Sequence, residues 1–414
     1  MRNSMRLFKT RLRALSMPLV LAIVLFSALV AAPAANGQTY KVLYNFTGGS
    51  DGGWPYFGSL VQDKAGNLYG TTVGGGSSGY GTVFKVTKSG KESVLYSFTG
   101  GADGGYPSAG LVLSGNTLYG TTTDGGASGD GVVFEVNTKT GTETVLYTFT
   151  GGADGAFPYA GLVQDKSGNL YGTTYEGGSR ACYQGDGGCG VVFQVVPKTK
   201  KEIVLHSFDY SDGANPSSGL TLDPTEKALF GTATFGGSSN CRGGCGVVFS
   251  LTIKSGTYNV LYNFTGSPDG AHPEGTLALG PTGNLYGTTV NGGNDIDAGT
   301  VFEVVPKTKK ETVLYIFPGG ADGGGPNGVI RDKKGKLYGT TAGGGTTDAG
   351  TVFEVVPNTK TETVLHSFGG SDGWGPLCGL LQDSKGNLYG TTYAGGSGTG
   401  CDSYGCGVVW EITP

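Results

Sequence analysis

Short apolar runs, each closed off by glycine-rich polar turns, follow one another along nearly the whole chain. Past the N-terminal segment none of them sustains the 3.6-residue period of an amphipathic helix. Their Val, Leu, Tyr, Phe and Thr fit a pleated, half-buried surface, so the pattern predicts β-strands throughout. The runs return in one fixed order, seven times. Val42-Leu43-Tyr44-Asn45-Phe46 recurs at Val94, Val145, Val204, Val260, Val313 and Val364, with its Phe kept as Phe98, Phe149, Phe208, Phe264, Phe317 and Phe368. Asp-Gly-x-x-Pro follows, beginning at Asp51, Asp103, Asp154, Asp212, Asp269, Asp322 and Asp372. Then come a Leu-Val-Gln-Asp-type strand, a polar turn such as Asp165-Lys166-Ser167-Gly168-Asn169, and Leu-Tyr-Gly-Thr-Thr or a close variant. The glycine of that third run stands at Gly70, Gly120, Gly172, Gly231, Gly287, Gly339 and Gly390. A Gly-Gly loop leads to a Val-Phe-Glu-Val-type run after Gly81, Gly131, Gly190, Gly246, Gly299, Gly350 and Gly407.

Four antiparallel strands repeated at about forty to sixty residues are the signature of propeller blades. We label them A (Leu-Val-Gln-Asp), B (Leu-Tyr-Gly-Thr-Thr), C (Val-Phe-Glu-Val) and D (Val-Leu-Tyr-x-Phe). Because the repeats begin with a D strand at Val42 and end with a C strand at Val408–Ile412, these two are expected to pair and close the ring. Closure removes the sheet edge that an open solenoid would need to cap. The fold class is therefore all-β, a single seven-bladed propeller over residues 38–414. Strands alternate in direction, so the D–A and B–C loops share one rim and the A–B and C–D loops the other. The glycine inside strand B is expected to admit an aromatic ring from the neighbouring blade.

The repeated Leu-Tyr-Gly-Thr-Thr, Gly-Gly and Val-Phe-x-Val elements, from Val42 to Ile412, resemble the GloVer (Gloeo/Verruco) tandem repeat of choice-of-anchor exported bacterial proteins. That resemblance implies a secreted or surface repeat protein whose activity is not established. Members often carry a C-terminal sorting segment, which the residues before Pro414 do not show. Strand B also resembles, more weakly, the blades of two-component regulator sensor propellers.

The N-terminus changes the picture in one respect. Arg2, Arg6, Lys9, Arg11 and Arg13 precede an apolar run from Met17 to Ala32, and small residues follow at Ala34 and Ala35. This is the pattern of a signal peptide over residues 1–37, and the run falls short of the roughly 20 residues of a spanning helix. The mature protein is expected in a secreted or periplasmic location, without a membrane span, as a monomer. Removing those five basic residues from the 28 leaves 23 against 32 acidic, a net charge of −9. An acidic chain lacks the basic footprint that nucleic acid requires.

Export also interprets the cysteines. Cys182 with Cys189, Cys241 with Cys245, and Cys401 with Cys406 each fall within one B–C loop, so three local disulfides are predicted, leaving Cys378 as a buried thiol. Metal binding would need Cys or His pairs to meet in one place, and histidine is confined to His206, His272 and His366. Neither a cofactor nor a metal is expected. Asp295 and Asp297 could offer oxygens to calcium, but no full ligand set follows them. The Asp-Gly-x-x-Pro motif recurs in every unit, which marks it as a loop device: Asp bonds its own backbone, Gly permits φ > 0 and Pro fixes the entry to strand A. Ligand sites, by contrast, break symmetry. On the D–A rim the varying residues are Trp54, Tyr106, Phe157, His272 and Trp374, with Tyr56 and Tyr159 just beyond the proline. Flat aromatic faces on a rigid scaffold suit sugar rings. The function expected is non-catalytic binding of a polysaccharide or a cell-surface protein at this rim. The alternatives are a lyase or glycosidase with carboxylates in the same place, or an envelope structural protein.

Overall fold

The computed structural model describes residues 38–178, 182, 187–237, 240–401 and 404–413. The signal-peptide reading of residues 1–37 lies outside them. Among the described residues 28 strands form seven four-stranded antiparallel sheets, and the one helical element is a 3-10 turn at Gly320–Asp322. In unit 1 the strands are Val61–Gln62, Leu68–Thr72, Thr82–Val86 and Glu92–Ser97. Strand A is two or three residues long in every unit except the sixth, where it spans Gly324–Arg331. The ring closes as expected: Thr39–Asn45 is the outer strand of the last sheet, with Lys41 opposite Glu411 and Val42 opposite Trp410. All seven C–D pairs carry the same one-residue bulge, which sets aside the Leu of Val-Leu-Tyr, as between Val42 and Tyr44.

An aromatic seam holds neighbouring blades together. The Phe that ends strand D packs edge-on against the strand C ring of the next blade, Phe46 on Phe84 at 5.0 Å, Phe149 on Phe193 at 5.1 Å, and Phe368 on Trp410 at 5.8 Å. These rings are fully buried. The strand B glycine makes room for the ring of its own blade, which corrects the expectation of a ring from the neighbouring one. Gly70 and Phe84 are paired across strands B and C, and a Cβ on Gly70 would stand 2.6 Å from Phe84 Cζ. The same cross-strand pairing of strand B glycine with strand C ring holds to Gly390 and Trp410.

A second layer of the seam lies further out. Every Asp of Asp-Gly-x-x-Pro meets the Tyr or His two residues before the Phe that ends the preceding strand D, a Tyr hydroxyl donating at 2.7–2.9 Å in five units and a His Nε2 at 2.9 Å in two. Backbone N–H groups such as that of Thr47 also donate to it, at 2.8 Å. These carboxylates are therefore committed to the loops. His206 and His366 occur where strand D of the next blade supplies Tyr258 and Tyr40, which stack on them at 3.9 and 3.8 Å. Where the partner is Tyr, the next blade supplies Glu92, Glu143, Glu202, Glu311 or Glu362, each with one carboxylate oxygen enclosed and unbonded. Burial first, and the nearby loop Asp second, push each of these glutamates up to about 7.

A raised carboxyl favours the protonated folded state, so this stability is complete below the ordinary value near 4.5 and is lost as pH rises through about 7. His366, lowered by burial, works in the opposite direction. The melting temperature should accordingly fall between about pH 5 and pH 8, and a variant carrying Gln at the five glutamates should flatten that fall. A profile that rises over this interval, or a slope the variant leaves untouched, would refute the assignment.

Cys182–Cys189, Cys241–Cys245 and Cys401–Cys406 are bonded as predicted. Cys378 is buried, its Sγ accepting from the Thr391 N–H at 3.1 Å. No helix among the described residues is long and apolar enough to cross a membrane. Asp297 accepts from the Gly292 N–H and from Asn291 Nδ2 within its own loop.

Candidate functional site

The D–A and B–C loops meet on one rim through backbone bridges such as Gly53 with Gly74, Ala156 with Glu176 and Trp374 with Ala394. The residue before each proline donates its N–H to the preceding blade, as Tyr106 does to Tyr80 O at 2.9 Å and Phe157 to Asp130 O at 3.0 Å. This pinning sets the residue at positive φ in all seven units. Asn215, Gly325 and Gly375 are the types that conformation favours, but Trp54, Tyr106, Phe157 and His272 hold bulky rings at φ 54–56°. Bulky residues at such angles cost on the order of 1–3 kcal/mol, and they cluster where a surface is used.

Immediately after that proline the chain turns inward, and the side chain there faces the axis of the ring. The seven residues are Tyr56, Ser108, Tyr159, Ser217, Glu274, Asn327 and Leu377. Each of them lines one of two cavities. The central channel, 450 Å³, is walled by the A segments of all seven units and holds Glu274. At its mouth lies a funnel of 750 Å³, and the two share Tyr159 and Leu377. Val73, Thr123, Ala342 and Tyr393, which follow strand B, complete the funnel wall together with Tyr106, Asp124 and Trp374.

Four of the residues singled out from sequence are thus brought together: Tyr56, Tyr106, Tyr159 and Trp374. Tyr106 and Trp374 are 40% and 37% exposed, Tyr106 edge-on to Tyr80 at 5.4 Å and Trp374 stacked on Tyr404 at 5.7 Å. The other three lie apart from the funnel wall. The Trp54 ring covers Gly74 of its own blade and its indole nitrogen is enclosed without a partner. His272 bonds Asn291 at 3.1 Å and packs at 5.1 Å from Phe235, and Phe157 is half-buried. Tyr393, Tyr175 and Glu274 escaped the sequence reading. The signal was available: these positions vary from copy to copy while the flanking Pro and Thr-Thr stay nearly constant.

The polar groups of the site are coupled. Tyr56 packs at 5.4 Å from Tyr393 across the last blade junction, and Tyr159 at 5.3 Å from Tyr175. Burial raises the Tyr56 phenol, and Tyr393, Glu274 and Tyr159 add to it. Tyr175 is raised by burial and then by Tyr159, Glu274 and Glu176. Burial also raises the Glu274 carboxyl, with His272 acting against it. Among the described residues no three His, Cys, Asp or Glu side chains gather as a metal site would need. The arrangement offers aromatic rings, phenol hydroxyls and one half-buried carboxylate around an open well.

Among solved structures the chain is similar to a chain of a mitotic checkpoint complex, 12% identical over 95% of this chain and 98% of that one, with a TM-score of 0.57. It is similar to an oligogalacturonate lyase in complex with manganese, 12% identical over 87% and 89%, TM-score 0.55. An oligogalacturonate lyase from Vibrio parahaemolyticus gives 10% identity over 91% and 96%, TM-score 0.54. These likenesses establish the fold alone. No curated protein matches the sequence. The Gloeobacter/Verrucomicrobia repeat matches residues 32–242 and 238–414.

Proposed function

Since the chain belongs to the Gloeobacter/Verrucomicrobia repeat family and closes into a seven-bladed propeller, we propose that it is an exported binding protein that holds a saccharide in the funnel of its D–A and B–C rim. The observation that carries this reading is the convergence of Tyr56, Tyr106, Tyr159, Trp374 and Tyr393 on one open well. Such faces stack on the apolar faces of sugar rings, while Ser108, Thr123 and Asp124 stand ready for hydroxyls. The well also lies within the about 300–1,000 Å³ usual for small-ligand sites. The cationic and apolar N-terminus together with three disulfides supports a secreted or periplasmic location.

Replacing Tyr106 and Trp374 together by Ala should lower retention on an immobilised polysaccharide at least about tenfold, the loss that truncated aromatic anchors carry. Both rings lie at the surface of the rim, so the variant should keep a cooperative thermal transition, which a melt checks. Retention unchanged in this double variant would sink the reading. Product formation followed in the same samples separates binding from cleavage.

A further inference from the structure

We propose that the ligand of this funnel carries a protonated amine, an amino sugar at the end of a deacetylated chain, and that Glu274 anchors that amine. The inference rests on the saccharide reading of the rim and sharpens it. At the post-proline ring the serines and the asparagine are satisfied within the protein. Ser108 bonds Thr123 at 2.9 Å, Ser217 bonds Thr234 at 2.8 Å, and Asn327 donates to Pro376 O at 3.1 Å. In unit 5 the position equivalent to Thr123 and Thr234 is Val290, which cannot bond, and Glu274 makes no hydrogen bond or ion pair among the described residues. Apart from His272, which acts on it from the same loop, no basic group among the described residues offsets the burial of this channel carboxylate, and the desolvation penalty left over is one a ligand cation would relieve.

The charge around it points the same way. Of the 23 basic residues after residue 37, only Arg180 and Arg242 fall in D–A or B–C segments, and Arg180 lies outside the described residues. Arg331, the one basic residue lining the channel among those described, stands where strand A of unit 6 ends, with its guanidinium 5.8 Å from the Tyr286 ring. Asp124 lines the funnel, and burial raises its carboxyl, with Asp130 adding to the shift. A polyuronate would meet like charge here, whereas an amine would meet Glu274 and the rings of Tyr56 and Tyr159, which attract cations.

Titration calorimetry with short glucosamine oligomers, N-acetylglucosamine oligomers and oligogalacturonates tests the assignment. The glucosamine oligomer should bind at least about tenfold more tightly than its acetylated form, the factor that a charge-assisted hydrogen bond supplies. Glu274→Gln should erase that margin, and Glu274→Asp, which keeps the charge, should retain part of it. Thermal melts of both variants show that the propeller is intact. Equal affinity for the two oligomers, or a margin that survives in Glu274→Gln, overturns the amine assignment and leaves the saccharide reading standing. Failure of every saccharide to bind overturns both.

Discussion

Deletion of residues 38–47 should convert a monodisperse protein into an aggregating one that has lost the cooperative thermal transition of the parent. The deleted segment is the outer strand of the last blade, paired from Thr39 with Thr413 to Asn45 with Val408. Its loss exposes the N–H and C=O groups of Val408–Thr413 as a flat edge, the usual template for intermolecular pairing. It also removes Phe46 from the seam against Phe84, and Tyr40 from its stack on His366 and its hydrogen bond to Asp372 O at 2.6 Å. Both sides of the last blade are therefore opened by one cut. Size-exclusion chromatography with a thermal melt decides the matter. A monomer with the parent melting temperature would show that the ring does not depend on its closing strand.

The second large effect belongs to the seam. Phe193→Ala should destabilise the protein by about 3–5 kcal/mol, the range for a fully buried aromatic cut to Ala. The ring is completely enclosed, carries Phe149 of the preceding blade, and rests on Gly172, where a Cβ would stand 2.6 Å from it. The converse change, Gly172→Ala, should cost about 1–3 kcal/mol by overpacking the same contact. Denaturant unfolding measures both. A loss below about 1 kcal/mol for Phe193→Ala would mean that the blades are held by something other than these rings.

How far the fold was legible in the sequence follows from what repetition reveals. Blade count, strand order, ring closure and the cysteine pairs were all visible, because seven copies act as an internal comparison and each of these features is local or strictly periodic. Contacts between units were not. The partner of the strand B glycine was assigned to the wrong blade because pairing across a sheet and packing between sheets leave the same mark on the sequence, a small residue facing an aromatic. The coupling of His206 with Tyr258 and of His366 with Tyr40 was likewise hidden, since the two members belong to successive strands D and touch only across the seam. At the rim, aromatic character was readable but direction was not. Trp54 and Tyr106 occupy the same place in the motif at nearly the same φ, 56° and 54°, yet only Tyr106 lines the funnel, because side-chain packing against loops such as Gly74 decides where a ring turns.

The post-proline ring has a consequence for how such a protein diversifies. Its seven side chains point to a shared axis from loops whose backbone is held by constant partners: the committed Asp, the interblade N–H bond and the proline. A mutation at one of these places, Glu274 or Leu377 for instance, alters one tile in the wall of the well without disturbing the hinge points of the frame. Duplicated units can then drift independently at those tiles while selection on foldability keeps the rest alike. The architecture separates the inheritance of shape from the inheritance of specificity, so relatives with the same blades are free to carry quite different wells.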